Sequence, residues 1–278
     1  MIYQKIPLPI DYAGIGTQGC GHTAEMTLYL PDNSPEIDTE RRRPTVVVLP
    51  GGGYGFRSDR EAEPLVFPFL AADCNAAIVS YSIEPTRFPA ALLQVAQAVA
   101  LLREHAAEWH VDTDRIAVMG FSAGGHLAAS YGTLWNSDIV RGYYGYQNKE
   151  NKPDGMILCY PVISSGPKAH RGSIDNLLGD KKDDPAMLEL VSCEKQVTAD
   201  TPPAFIWHTF DDGCVPVENA LLMACALREK DIPFELHIYP HGQHGLSLAN
   251  ENVYGQWNHE CDEVQSWIGM AIRWMKGL

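Results

Sequence analysis

Long apolar runs, a surplus of basic residues and paired cysteines are all missing from this chain, and each absence removes a class of protein. No window among its 278 residues is apolar for long enough to span a bilayer. The opening Met1-Ile2-Tyr3-Gln4-Lys5-Ile6-Pro7 lacks the basic start and long apolar stretch of a signal peptide. A cytoplasmic location is the resulting expectation, although a mature chain that had shed its signal reads the same way. Basic residues number 21 against 35 acidic ones, a formal net charge of −14. Neither a nucleic acid nor an anionic membrane is therefore expected as a partner, and the acidity reads as a solubilising surface. The seven cysteines are odd in number, widely spaced and never in a CxxC pair. They read as reduced thiols, not as a disulfide framework or a zinc site. GxxxxGK[ST] and HExxH are absent, so no cofactor and no metal is expected.

What is present is an alternation of strand and helix signals. With 45% hydrophobic residues, the chain can bury one large core. Residues 24–30 alternate like a half-exposed strand, and 45–49 form a β-branched run suited to a strand covered on both faces. Further strands are expected at 76–81, 116–119, 155–160, 204–208 and 234–239. Helices are expected at 61–72, at 89–108 with Pro89 in the first turn, from 126 onward, at 217–229 and at 256–276. Such alternation implies a parallel sheet with right-handed crossovers and helices on both faces. Residues 164–203 are polar, with only short helical pieces, and read as an insertion or small cap over the sheet edge. Without repeats or linkers, residues 1–278 read as one domain.

The run Gly120-Phe121-Ser122-Ala123-Gly124-Gly125 sits where the strand at 116–119 meets a helix. A serine there stands on a tight, strained turn with its hydroxyl above the sheet edge, and side chains at 120 and 124 would collide. The amide of Ala123, in the first turn of the helix, can donate to an oxyanion. A serine hydroxyl is a poor nucleophile until an oriented base takes its proton. In this topology the order along the chain is serine, acid, histidine.

Two later loops supply candidates. After 204–208 comes Asp211-Asp212-Gly213-Cys214-Val215-Pro216, and after 234–239 comes Pro240-His241-Gly242-Gln243-His244-Gly245. Asp212 is the better acid because it lies deeper in the turn, whereas Asp211 suits capping or solvation of the loop. His244 is the better base because it stands clear of the strand. His241, His208, His126 and His22 have structural readings: a near-strand residue, the end of a buried strand, a local contact one turn past Ser122, and loop chemistry beside Cys20. The run Gly51-Gly52-Gly53 follows a central strand. It fits a loop that brings backbone N–H groups up to a developing oxyanion.

Pro50-Gly51-Gly52-Gly53-Tyr54, the SDREAEP of 58–64, GFSAGGHLAAS at 120–130 and the segment from Pro202 through HGQHG together resemble the α/β-hydrolase esterases. They resemble in particular the acetylxylan esterase-like, BD-FAE-type carbohydrate esterases. The likeness runs from about residue 43 to the C-terminus. It implies an α/β-hydrolase fold with a mostly parallel central sheet of about eight strands and helices on both faces. It also implies Ser122 as nucleophile, Asp212 as acid and His244 as base, with the amides of Gly52, Gly53 and Ala123 as oxyanion hole. Many relatives read His-Gly-Gly-Gly where this chain has Pro50, which removes a side chain that steadies the loop. Which glycine amide points inward stays open. Tyr54, expected as a substrate contact, is one of four aromatic residues that can line the pocket or belong to the core, with Phe56, Tyr81 and Trp207.

The expected function is a serine esterase that deacetylates short plant-derived oligosaccharides such as acetylated xylo-oligosaccharides. The expected partner is the small ester or acetylated sugar itself, and a homo-oligomer is compatible with the sequence. A peptidase of the prolyl oligopeptidase type usually carries a propeller domain, for which there is no room. A ligand-binding protein on an inactive hydrolase scaffold has no use for an intact Ser122, Asp212 and His244.

Overall fold

In the structure, a computed structural model that describes residues 1–254 and 261–278, eight strands form one sheet in the order β1-β2-β4-β3-β5-β6-β7-β8. They are β1 (Ile2–Pro7), β2 (Glu25–Leu30), β3 (Arg43–Leu49), β4 (Asn75–Ser80), β5 (Val111–Phe121), β6 (Gly155–Cys159), β7 (Ala204–Thr209) and β8 (Phe234–Tyr239). From β3 to β8 every pairing is parallel, and β1 and β2 run antiparallel at one edge. Among the described residues the α-helices are α1 (Val66–Ala71), α2 (Ala90–Glu104), α3 (Ala123–Leu134), α4 (Asp138–Tyr144), α5 (Arg171–Leu178), α6 (Pro185–Val191), α7 (Glu218–Glu229) and α8 (Ser266–Lys276).

The apolar runs of the central strands are explained by two cores. Because successive side chains alternate in direction, Val47 and Leu49 pack on one face with Leu92, Val95 and Val99 of α2 and Leu127 of α3. Val46 and Val48 pack on the other, with Val66 and Phe69 of α1 and Trp267 and Ala271 of α8. All four β3 side chains have no exposed surface. Each such residue contributes about 1.5–3 kcal/mol through burial.

Several elements differ from the sequence reading. The edge strand β1 was not expected; four of its six residues are exposed, so it carries no apolar run. Nor was α4, which closes on Gly145 in the left-handed region. The expected helix over 61–72 begins as two 3-10 turns, Asp59–Glu61 and Glu63–Leu65, and is α-helical only from Val66. Pro64, which has no amide proton, falls inside that start. α2 stops at Glu104, and 105–110 turn back towards β5. Of the helix expected over 256–276, positions 256–260 lie outside the described residues, 262–265 are turn, and α8 starts at Ser266. The segment 164–203 holds α5, α6 and two 3-10 turns. All seven cysteines are free. No helix among the described residues is long and apolar enough to cross a membrane.

Candidate active site

The C-terminal end of β5 turns into α3 within one residue. Ser122 occupies φ 53°, ψ −117° between Phe121 and Ala123, a conformation that costs about 1–3 kcal/mol and persists only where the surroundings impose it. They do so here from both sides. The Ser122 amide donates to the Cys159 carbonyl at 3.0 Å, and its own carbonyl accepts from Val162 and His126 at 3.0 Å each. A Cβ at Gly120 would stand 1.9 Å from the Gly124 carbonyl oxygen, and one at Gly124 would stand 2.1 Å from the Leu49 oxygen. Strand, elbow and helix can therefore approach this closely only with glycine at both positions.

The loops after β7 and β8 bring Asp212 and His244 to this elbow. His244 Nε2 lies 2.8 Å from Ser122 Oγ, and its Nδ1 lies 2.7 Å from Asp212 Oδ2. Nδ1–H donates to the carboxylate, so Nε2 is left bare to accept the serine proton. Asp212 is buried, and its other oxygen accepts the amides of Cys214 and Val215 at 2.9 Å each. His208 Nε2 reaches both Asp212 Oδ2 at 3.2 Å and the Val215 carbonyl at 3.0 Å. A carbonyl only accepts, so the His208 proton sits on Nε2 and Asp212 receives it too. Burial by itself would raise the pKa of Asp212. The hydrogen bonds from His208 and His244 and the charge of His244 outweigh it and hold Asp212 well below the usual carboxylate range. Asp211, one residue away, is directed outward: it accepts from the Gly242 amide at 2.7 Å and pairs with the exposed His241 at 3.1 Å.

Across from this pair lies the loop after β3. Gly52 and Gly53 both adopt positive φ, 120° and 63°, and the Gly51 amide is already engaged, donating to Glu61 Oε2 at 2.8 Å. The amides of Gly52, Gly53 and Ala123 have no acceptor among the described residues, which leaves them for an oxyanion. Pro50 does not leave the loop slack. Its carbonyl accepts from the Tyr81 hydroxyl at 2.5 Å, and Asn176 of α5 donates to the Gly53 carbonyl at 2.9 Å.

The cavity between these parts has a volume of about 370 Å³ and is lined by Phe56, Arg60, His170, Asn176, Cys214 and the Ser122–His244 pair, among others. Tyr54, expected as a substrate contact, does not line it. It is 2% exposed, and its hydroxyl lies 2.8 Å from His126 Nδ1. Tyr81 and Trp207 are also buried, so of the four aromatic candidates only Phe56 faces the cavity. The expected local contact of His126 is replaced by a long-range one. Its Nε2 donates to the Val191 carbonyl at 2.8 Å, and burial pushes its pKa down to about 4. His22 stays in its loop, 3.1 Å from Cys20 Sγ and 2.5 Å from Arg57. Sequence reasoning passed over Glu61 and His170 and did not foresee the contact of His208 with Asp212. An acidic residue inside the SDREAEP run was the one signal available for Glu61.

A parallel sheet doubly covered by helices, with a serine elbow, a histidine and a buried carboxylate at its carboxyl edge, defines an α/β hydrolase. Residues 26–227 match the BD-FAE family, and the chain belongs to that family of esterases. It is 38% identical over 221 residues to endo-1,4-beta-xylanase B of Butyrivibrio fibrisolvens, covering 78% of this chain and 34% of the relative. It is 29% identical over 265 residues to the acetylxylan esterase of Xylanibacter ruminicola, covering 92% of this chain and 48% of the relative. The chain thus spans between a third and a half of the length of these two relatives. Solved structures match over nearly their whole length. The acetyl ester-xyloside bifunctional hydrolase of Caldicellulosiruptor lactoaceticus has a TM-score of 0.81 at 36% identity, covering 99% of this chain and 96% of that one. A carboxylesterase of Lactobacillus plantarum has a TM-score of 0.84 at 26% identity, covering 100% and 98%.

Proposed function

We propose that the protein is a serine carboxylester hydrolase that works through an acyl-enzyme and removes acetyl groups from short oligosaccharides, with acetylated xylo-oligosaccharides as the leading substrates. The observation that carries this reading is the unbroken line from Ser122 Oγ to His244 Nε2 at 2.8 Å and from His244 Nδ1 to Asp212 at 2.7 Å. Ser122 Oγ attacks the ester carbonyl carbon while its proton passes to His244 Nε2. The negative charge that develops on the carbonyl oxygen meets the amides of Gly52, Gly53 and Ala123. His244 then gives the proton to the departing sugar oxygen, leaving acetyl on Ser122. A water deprotonated by the same nitrogen attacks that acetyl and regenerates the serine. Asp212 stays ionised throughout and stabilises the imidazolium.

The substrate assignment is supported by the names of the relatives and by a polar rim. Arg60, His170 and Asn176 stand around the cavity and offer hydrogen-bonding partners to an acetyl donor rich in hydroxyls. The segment 164–203 acts as a cap on this reading, because α5 supplies Asn176 and His170 precedes its first residue.

Acetate release from acetylated xylo-oligosaccharides, compared with 4-nitrophenyl esters of two, four and eight carbons, tests the assignment. Acetyl esters are expected to turn over fastest, and acetate is expected to appear from the sugars. Faster hydrolysis of octanoyl than of acetyl esters, or no acetate from the sugars, contradicts it.

A further inference from the structure

Glu61 takes no part in the chemistry above, yet its carboxyl group is buried, 3% exposed, against the two loops that perform it. Oε2 accepts the Gly51 amide at 2.8 Å, and Oε1 accepts the Tyr160 hydroxyl at 2.6 Å. The Tyr160 oxygen in turn accepts the Ser247 amide at 3.0 Å, three residues beyond His244. The Tyr160 ring stands edge-on to the His244 ring, with centroids 5.0 Å apart. The neighbouring Arg60 grips the same loop twice: its guanidinium donates to the Gly245 carbonyl at 3.2 Å, and its carbonyl accepts from Ser247 Oγ at 2.6 Å. From these contacts we propose that Glu61 is a positioning residue that fastens the oxyanion loop to the histidine loop, with Tyr160 as the link.

A buried carboxyl group destabilises a fold unless its oxygens are satisfied. Here the donors come from two different loops, Gly51 after β3 and Tyr160 after β6. Both ends of the link are backbone amides, so what Glu61 holds is loop position. Gly51 immediately precedes the two glycines whose amides face the oxyanion. It packs so tightly that a Cβ there would stand 2.6 Å from Glu61 Oε2 and 2.7 Å from the Phe121 carbonyl oxygen. At the other end, Tyr160 and Ser247 both hold positive φ, 36° and 54°, backbone that must be held by its surroundings. Burial, followed by the charge of Glu61, pushes the Tyr160 phenol well above its usual pKa, so it remains a donor. Glu61 thus helps to set the distance between oxyanion donors and base, beside the two contacts of Arg60. A displacement of about 1 Å in such a constellation costs about 10²-fold in rate.

This role rests on the Ser122–His244 reading, and the test separates the two. Glu61→Gln, Tyr160→Phe, the double variant and Ser122→Ala are assayed in the full chain on 4-nitrophenyl acetate, with kcat and KM resolved and thermal midpoints recorded. In Glu61→Gln the amide oxygen can keep the Gly51 N–H, but the NH₂ then meets the Tyr160 hydroxyl, which loses its acceptor and can only turn to accept, so the link is weakened. Tyr160→Phe breaks it while leaving the Gly51 bond in place, so it carries the test if the first variant fails to fold. Each folded single variant is expected to lose about 10- to 100-fold in kcat with KM within about twofold. The double variant is expected to be no worse than the poorer single, because both changes cut one link. Wild-type kcat in either folded single variant, or losses that multiply in the double, overturns the role of Glu61. If Ser122→Ala is inactive when that happens, the serine reading stands and only the positioning role fails. An active Ser122→Ala enzyme removes both.

Discussion

His208 donates to Asp212 at 3.2 Å on the same carboxylate oxygen, Oδ2, that His244 approaches to 2.7 Å. With the Cys214 and Val215 amides on Oδ1, four donors converge on one side chain and fix its rotation. These hydrogen bonds, together with its place in the loop, support Asp212 as the orienting acid of the proposed triad.

Asp212→Asn is expected to lower kcat by about 10³- to 10⁴-fold, and Asp211→Asn by less than about tenfold. An asparagine amide at 212 must turn its NH₂ either towards the two histidine donors or towards the two backbone amides, and each choice opposes donor to donor. Asp211 faces outward and, among the described residues, holds His241 and the Gly242 amide. Steady-state kinetics on an acetyl ester decide the matter, and a larger loss at 211 shifts the acid by one residue.

kcat/KM is expected to show an acid limb, because protonating the base stops the first step. Ser122 can pass its proton only to a bare Nε2, so the imidazolium form is inactive. Asp212 is held well below the usual carboxylate range and stays ionised, while burial takes His126 down to about 4. His241→Ala should keep the limb, and His244→Ala should nearly eliminate activity. An active His244→Ala enzyme with the acid limb unchanged assigns the base to another histidine.

The alcohol side of the substrate is expected to meet His170. Its Nδ1 accepts from the Ser173 amide at 3.3 Å, which places the ring proton on Nε2. Burial and the charge of His244 lower its pKa, so it stands as a neutral N–H donor at the cavity. Replacing it by phenylalanine is expected to penalise kcat/KM for an acetylated xylo-oligosaccharide about fivefold more than for 4-nitrophenyl acetate, the worth of one neutral hydrogen bond. Equal penalties on both esters contradict a contact with the sugar.

The parts of this structure that sequence reasoning reached are those whose physics is local. β3 and β4 are buried on both faces and therefore appear as unbroken apolar runs. The serine elbow announces itself through glycines that backbone contact requires. What escaped was long-range or weakly patterned. β1 is an exposed edge strand, and α4 is a seven-residue helix between loops. Glu61 meets Tyr160 across 99 residues, and His126 meets Val191 across 65. Tyr54 follows the glycine run directly, and the sequence leaves it open to either the pocket or the core. The turn sends its side chain inward to His126, a direction set by φ 59° at that residue.

Ser122→Ala is the most direct measurement. Ser122 is 7% exposed and lines the cavity, and losing one oxygen leaves the elbow backbone bonds intact, so the thermal midpoint should stay close to that of the parent. Acetyl ester hydrolysis should fall by about 10³-fold or more, with only the oxyanion amides and binding left to act. A folded Ser122→Ala protein that turns over acetyl esters near the parent rate contradicts the account.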